Sequence, residues 1–154
     1  MRRSVPYWRD ESGAELIEFA LVFPLLLLVM LGIIDFGLLF QRYEVLTNAA
    51  REGARVSVLP GYADADVQTR VNQYLDAAGL TDPLRTTSVG VTTTLSVGLQ
   101  CITVRPVTVT YPHGFSFVGG IASYFGGAGF SSTTLSATAS MRNEMPAAGG
   151  PGCP

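Results

Sequence analysis

Ser12-Gly13-Ala14-Glu15-Leu16-Ile17-Glu18-Phe19-Ala20-Leu21-Val22-Phe23-Pro24 joins a polar leader to an apolar run that continues to Phe40. From Phe19 to Phe40 the only ionisable side chain is Asp35. At about 1.5 Å per residue, a helix over this run is about 33 Å long, which suits a hydrocarbon core of about 30 Å. Its apolar residues occupy every face, so a buried core helix is disfavoured and a single transmembrane helix is expected. A secretory signal would be cut after its apolar run, at a small-x-small site. Here the run is followed by Gln41-Arg42-Tyr43-Glu44, and no such site occurs before Ala49-Ala50.

Working outward, Arg2, Arg3 and Arg9 precede the span, and Arg42, Arg51 and Arg55 follow it. Arginines on both flanks leave the charge rule undecided. The short leader before a first helix usually stays inside. Residues 1–13 are therefore placed in the cytoplasm and residues 42–154 outside the cytoplasmic (inner) membrane. The whole chain has 154 residues, a net charge of −2 and 14% charged residues. No basic field calls for nucleic acid and no acidic block marks a disordered tail.

The pattern predicts an α+β chain. Residues 14–58 form one transmembrane and extended helix, 59–145 a small extracytoplasmic domain, and 146–154 a Pro/Gly-rich tail. Pro24 removes one helical hydrogen bond, so a kink is expected there. Gly32 and Gly37 permit close packing by another helix. Past the span, Val45, Ala49, Gly53 and Val56 fall on one narrow, small-residue face, and Pro60-Gly61 ends the helix. A second helix, capped by Asp64 or Asp66, carries the stripe Val67, Val71, Tyr74, Leu75 and Ala78, with Gly79 after it. Three β-rich runs follow: Val89 to Val97, Ile102 to Tyr111 and Thr133 to Arg142. Their alternation predicts an antiparallel sheet of about three strands covered on one side. Pro106 in the middle run requires an edge position or a bulge. Residues 112–130 mix five glycines with several aromatics. They read either as a loop tucked into the sheet or as an exposed apolar patch facing a partner subunit or the membrane.

Little in the chain carries chemistry. It has no Gly-rich phosphate loop, nucleophile elbow or metal-ligand spacing, so neither an enzyme nor a cofactor or small-molecule substrate is expected. His113, the single histidine, reads as a surface loop residue. Asp35 reads equally as a solvated residue near the interface or as a contact to a neighbouring subunit. Cys101 and Cys153 are the only cysteines. Outside the cytoplasm they can pair, closing a loop of about 50 residues for about 4 kcal/mol on the chain-entropy model. The alternative is two free or intermolecular thiols.

The junction at Gly13 has a more particular meaning. A cut between Gly13 and Ala14 would leave a new amine at the positive end of a helix dipole. Glu18 lies four residues on, on the same face. It can neutralise that amine, or the amine of an adjacent subunit. These residues resemble the class III leader of type IV pilins, which prepilin peptidase removes after the glycine. The fuller pattern is Gly13-Ala14-x-x-x-Glu18-Phe19-Ala20-x-x-x-Pro24, then Gly32-Ile33-Ile34-Asp35-Phe36-Gly37, then Asn48-Ala49-Ala50-Arg51-Glu52-Gly53-Ala54-Arg55. It resembles the TadE-like pseudopilins of the tight-adherence (Tad/Flp) pilus system over residues 12–57. That resemblance implies a pilin-like fold and a non-catalytic minor pilin acting in pilus assembly and surface adhesion. It also implies prepilin peptidase, other Tad pilins and the membrane assembly platform as partners. The competing expectation is an uncleaved, single-pass anchor for an extracytoplasmic binding module.

Overall fold

The computed structural model describes residues 11–97, 100–124 and 132–143. One helix dominates it. α1 runs from Glu11 to Ser57, 47 residues without a break, with Pro24 inside it. At about 1.5 Å per residue it is about 70 Å long. Its N-terminal part stands free, with Leu16, Phe19, Leu21, Leu25 and Leu26 each at least 60% exposed. Among the described residues α1 is the one helix long and apolar enough to cross a membrane.

The C-terminal part of α1 is instead the centre of the core. Leu46, Ala49, Ala50 and Ala54 are fully buried and Val56 nearly so. The buried surface is wider than the narrow seam expected from Val45, Ala49, Gly53 and Val56, because α1 is covered from two directions. α2, Asp64–Ala77, lies on one side and presents Val67, Val71 and Leu75, all fully buried. Each such side chain stabilises by about 1.5–3 kcal/mol relative to exposure. Of the expected stripe Val67, Val71 and Leu75 are buried, whereas Tyr74 is 38% exposed and Ala78 is an exposed C-cap residue beyond the helix. Its N-cap is Ala63 rather than an aspartate, and the Asp66 carboxylate accepts the Ala63 N–H at 2.8 Å. Gly79 leaves the helix at φ +76°, a value that suits glycine.

A sheet covers the other side. β1 is Thr86–Val89, β2 Thr93–Val97, β3 Gln100–Gly114 and β4 Ser132–Asn143. All pairings are antiparallel and all involve β3. The first expected run thus divides into two short strands that share one edge of β3, while β4 takes the other. Val107, Val109 and Tyr111 of β3 and Leu135 and Ala137 of β4 face α1. Thr108 and Thr138 join hydroxyls at 2.9 Å on the opposite face.

Pro106 lies in the central strand, not at an edge. The pairing Val89↔Val107 gives way to Thr93↔Val104, so three residues of the β1–β2 edge oppose two of β3. That is a bulge. The Pro106 carbonyl accepts the Gly90 N–H at 2.8 Å across this break. In an antiparallel strand N–H and C=O of one residue point the same way. The donor that proline lacks would therefore have faced the bulge, where no ladder partner is lost.

Arg105 fastens the corner. Its guanidinium donates to the Gly90 and Ser57 carbonyls, each at 3.3 Å, and to the Asp64 carboxylate. One side chain thus links the end of α1, the start of α2 and the bulge.

Candidate functional site: the α1 rod and its seam

Helix α1 begins at Glu11, so it extends three residues before the Gly13–Ala14 junction and places that junction in its first turns. No atom lies within 4 Å of a Cβ built on Gly13. Glu15 and Glu18 are exposed, and Glu18 has no ion-pair partner among the described residues. Phe19 is 61% exposed and stacks on Phe23 with ring centroids 5.2 Å apart. The first part of the rod is therefore an uncovered surface with one acidic side chain four residues beyond the junction.

Asp35 is where rod and domain first meet firmly. It is 1% exposed, and its carboxylate accepts the backbone N–H groups of Ser116, Phe117 and Val118 at 3.2, 2.9 and 2.7 Å. These open α3, Val118–Tyr124. Asp35 is thus neither solvated nor turned to a neighbouring subunit: it caps a short helix of its own chain. Gly32 faces the same segment, with its Cβ position 3.9 Å from Val118 Cγ2, whereas nothing lies within 4 Å of Gly37. Phe36 and Phe115 meet at 6.0 Å between ring centroids. The segment 112–124 accordingly divides: Pro112 to Gly114 complete β3, and the rest packs on the rod. Residues 125–130 lie outside the described residues.

His113 is a correction to the sequence reading. It is 1% exposed rather than a surface loop residue, because β3 continues to Gly114 and turns the imidazole toward α1. Arg42 donates to its Nδ1 at 3.0 Å, and Phe115 packs edge-on at 5.1 Å. Nε2 has no partner among the described residues. Burial, and then the Arg42 charge, push the imidazole below its ordinary pKa, with Asp35 opposing them. The ring is held neutral as a structural acceptor.

The Asn48–Arg55 block is the seam between rod and domain. Ala49 and Gly53 are buried in it, and a Cβ on Gly53 would lie 2.5 Å from Val71 Cγ2 and 3.1 Å from Val107 Cγ1. Only glycine lets α2 and β3 close on α1 here. Beside it Glu52 accepts from Arg55 at 2.8 Å and from Arg70 of α2 at 3.0 Å. The Arg55 hydrogen bonds foremost, and those of Arg70, hold the Glu52 carboxyl down at about 2 against the opposing effect of burial. Sequence reasoning found the small residues of this block but not Leu46, Arg70 or Arg105, whose partners come from distant parts of the chain. Pro24 lies within the unbroken helix. The proposed Cys101–Cys153 pair lies outside the described side chains.

A groove of about 410 Å³ beside the seam is lined by Arg55, Leu59, Tyr62 and Arg70 among others. Its arginines are engaged by Glu52, and it holds no paired acid and base. Among the described residues no three His, Cys, Asp or Glu side chains gather as metal ligands.

Comparison with known proteins gives one match. The family model described as TadE-like protein matches residues 13–55, from the glycine junction to the last arginine of the seam. No curated protein and no solved structure matches the chain.

Proposed function

Residues 13–55 are a TadE-like segment, and from that premise we propose that the chain is a minor pilin of a Tad-type pilus. The apolar rod anchors it in the cytoplasmic membrane, with the α2–sheet domain on the outer side. Prepilin peptidase cuts between Gly13 and Ala14. The new amine is neutralised by Glu18 of its own or an adjacent subunit, and that pairing sets axial register among packed helices. The protein acts in pilus assembly and in adhesion through its association with other Tad pilins and their platform, without catalysis of its own.

One observation carries this reading. Among the described residues α1 is uncovered along its apolar part and continues without a break into a stretch that is buried in the domain, and both parts of α1, though not α2 or the sheet, fall within the family match. An ordinary anchor needs only length and hydropathy. It does not need a free carboxylate four residues past a glycine junction, nor a domain built around the same helix. Glu15 and Glu18 at the head of the span would be unhelpful to a plain anchor, since a carboxylate in hydrocarbon costs about 2.5–3.5 kcal/mol at the bilayer centre and less near its edge.

Intact mass of the membrane-extracted protein tests this. The expected mature chain starts at Ala14, and Gly13→Leu keeps the leader and abolishes incorporation into pili. Glu18→Ala is expected to be cut but to enter pili at a tenth or less of the normal level, on the order of the 1–2 kcal/mol that an unpaired amine in an apolar bundle costs. A full-length mass in piliated cells would leave only the fixed-anchor reading.

A further inference from the structure

The short helix α3 is placed oddly for a part of an aqueous domain. Its first turn hangs on Asp35, which lies inside the apolar run of α1. Val118 lies over Gly32 and Phe115 over Phe36. The segment Phe115–Tyr124 contains no Asp, Glu, Arg or Lys, and none occurs before Arg142. Phe117 is 41% exposed, and Ile33 and Phe36 of the rod are exposed as well.

The hydrogen bonds of this segment are supplied from within the chain. In lipid every backbone polar group has to be satisfied internally, and irregular backbone survives only where protein supplies the partners. Here Asp35 takes the three N–H groups that open α3. The Ile121 N–H reaches the Phe117 carbonyl at 3.2 Å, and the exposed Ser123 hydroxyl donates to the Gly120 carbonyl at 2.8 Å. The pairing also spares Asp35 the cost of an unpaired charge at that depth.

We propose that α3 rests in the outer interfacial zone of the bilayer, with Phe117 facing lipid, and so fixes the depth at which α1 sits. This rests on the membrane-anchor reading above. The occupant is lipid rather than another protein, because the Phe117 backbone is held on Asp35 within the apolar run of the rod, where Ile33, Ile34 and Phe36 are exposed too.

Tryptophan quenching in phosphatidylcholine vesicles tests it with the full chain. Trp8, the single tryptophan, is changed to Phe, and one reporter is introduced at a time: Phe117→Trp, Leu25→Trp in mid-span, or Val91→Trp, which is 82% exposed at the bulge. Lipids brominated near the headgroup are expected to quench the Phe117 reporter about threefold more than the Val91 reporter, as befits an interfacial indole. Mid-chain bromine should quench Leu25 most. Iodide in the water should quench only Val91. If iodide quenches the Phe117 reporter as strongly as Val91 while Leu25 still responds to bromolipid, the anchor stands and the depth stop is wrong. If neither quencher reaches position 117, protein covers it and the lipid assignment falls. If Leu25 also escapes bromolipid, the anchor reading fails, and the depth stop with it. Ser116→Trp, whose parent side chain is exposed, is the second reporter should Phe117→Trp not fold.

Discussion

Glu52 shows how much one residue of the matched segment contributes beyond its place in a motif. Its two arginine partners come from its own helix and from α2, so it ties helix to helix while Gly53 next to it lets them close. Its carboxyl is held at about 2 against a reference of 4.5. The folded-state pKa is lowered, so the stabilisation is present above about pH 4.5 and is lost as pH falls from there toward about 2. Because both arginines are about half exposed, solvent screening reduces the net value to about 1 kcal/mol. Glu52→Gln should therefore unfold at lower denaturant than the parent at pH 7. The two midpoints should converge near pH 2–3. Equal midpoints at pH 7 would remove Glu52 from the list of stabilising contacts.

At the scale of elements, the α1–α2–β3 contact is decided by volume at one position. Gly53→Ala adds a methyl 2.5 Å from Val71 Cγ2. Alanine gains about 1 kcal/mol of helix propensity over glycine. Forcing extra volume into a packed interface typically costs about 1–3 kcal/mol, and at 2.5 Å, with Val107 closing the other side, the upper part of that range applies. The net expectation is a loss of about 1–2 kcal/mol, read from the denaturant midpoint. Gly37→Ala, with nothing within 4 Å, is the matched control and should be neutral or slightly stabilising. The outcome separates a packing glycine from a merely permissive one. Arg105 belongs to this scale as well. It holds the bulge, the last carbonyl of α1 and the first residue of α2 in one place, and nothing in the local sequence of β3 announces that role.

For the whole molecule, rod and domain are not separable at the point where the membrane run ends. Leu46, Ala49, Ala50, Ala54 and Val56 of α1 are core residues of the domain. A chain beginning at Leu31 retains them and should fold, with a cooperative thermal transition in mild detergent. A chain beginning at Leu59 lacks them, exposes Val67, Val71, Val107 and Val109, and should show no such transition by near-ultraviolet circular dichroism. Cooperative unfolding of the shorter chain would show that α1 is dispensable to the domain core.

The sequence by itself determined the α1 rod, its end at Ser57, the apolar stripe of α2 and the inward face of β4. Each is a local periodicity with a local stop signal. The glycine junction and the Ala/Gly seam were equally legible, because both are contiguous in the chain. Four things were decided only by the tertiary structure. His113 became buried because β3 runs past Tyr111. Pro106 became central because the break at Gly90 removes the demand for its missing donor. The run expected from Val89 to Val97 was interrupted for the same reason, Val89 closing β1 and Thr93 opening β2. Asp35 found its partners on residues 81 to 83 positions away. In every case the deciding partner is remote in sequence, and the hydrogen bonds and close contacts that fix it exist only once the sheet has closed on α1.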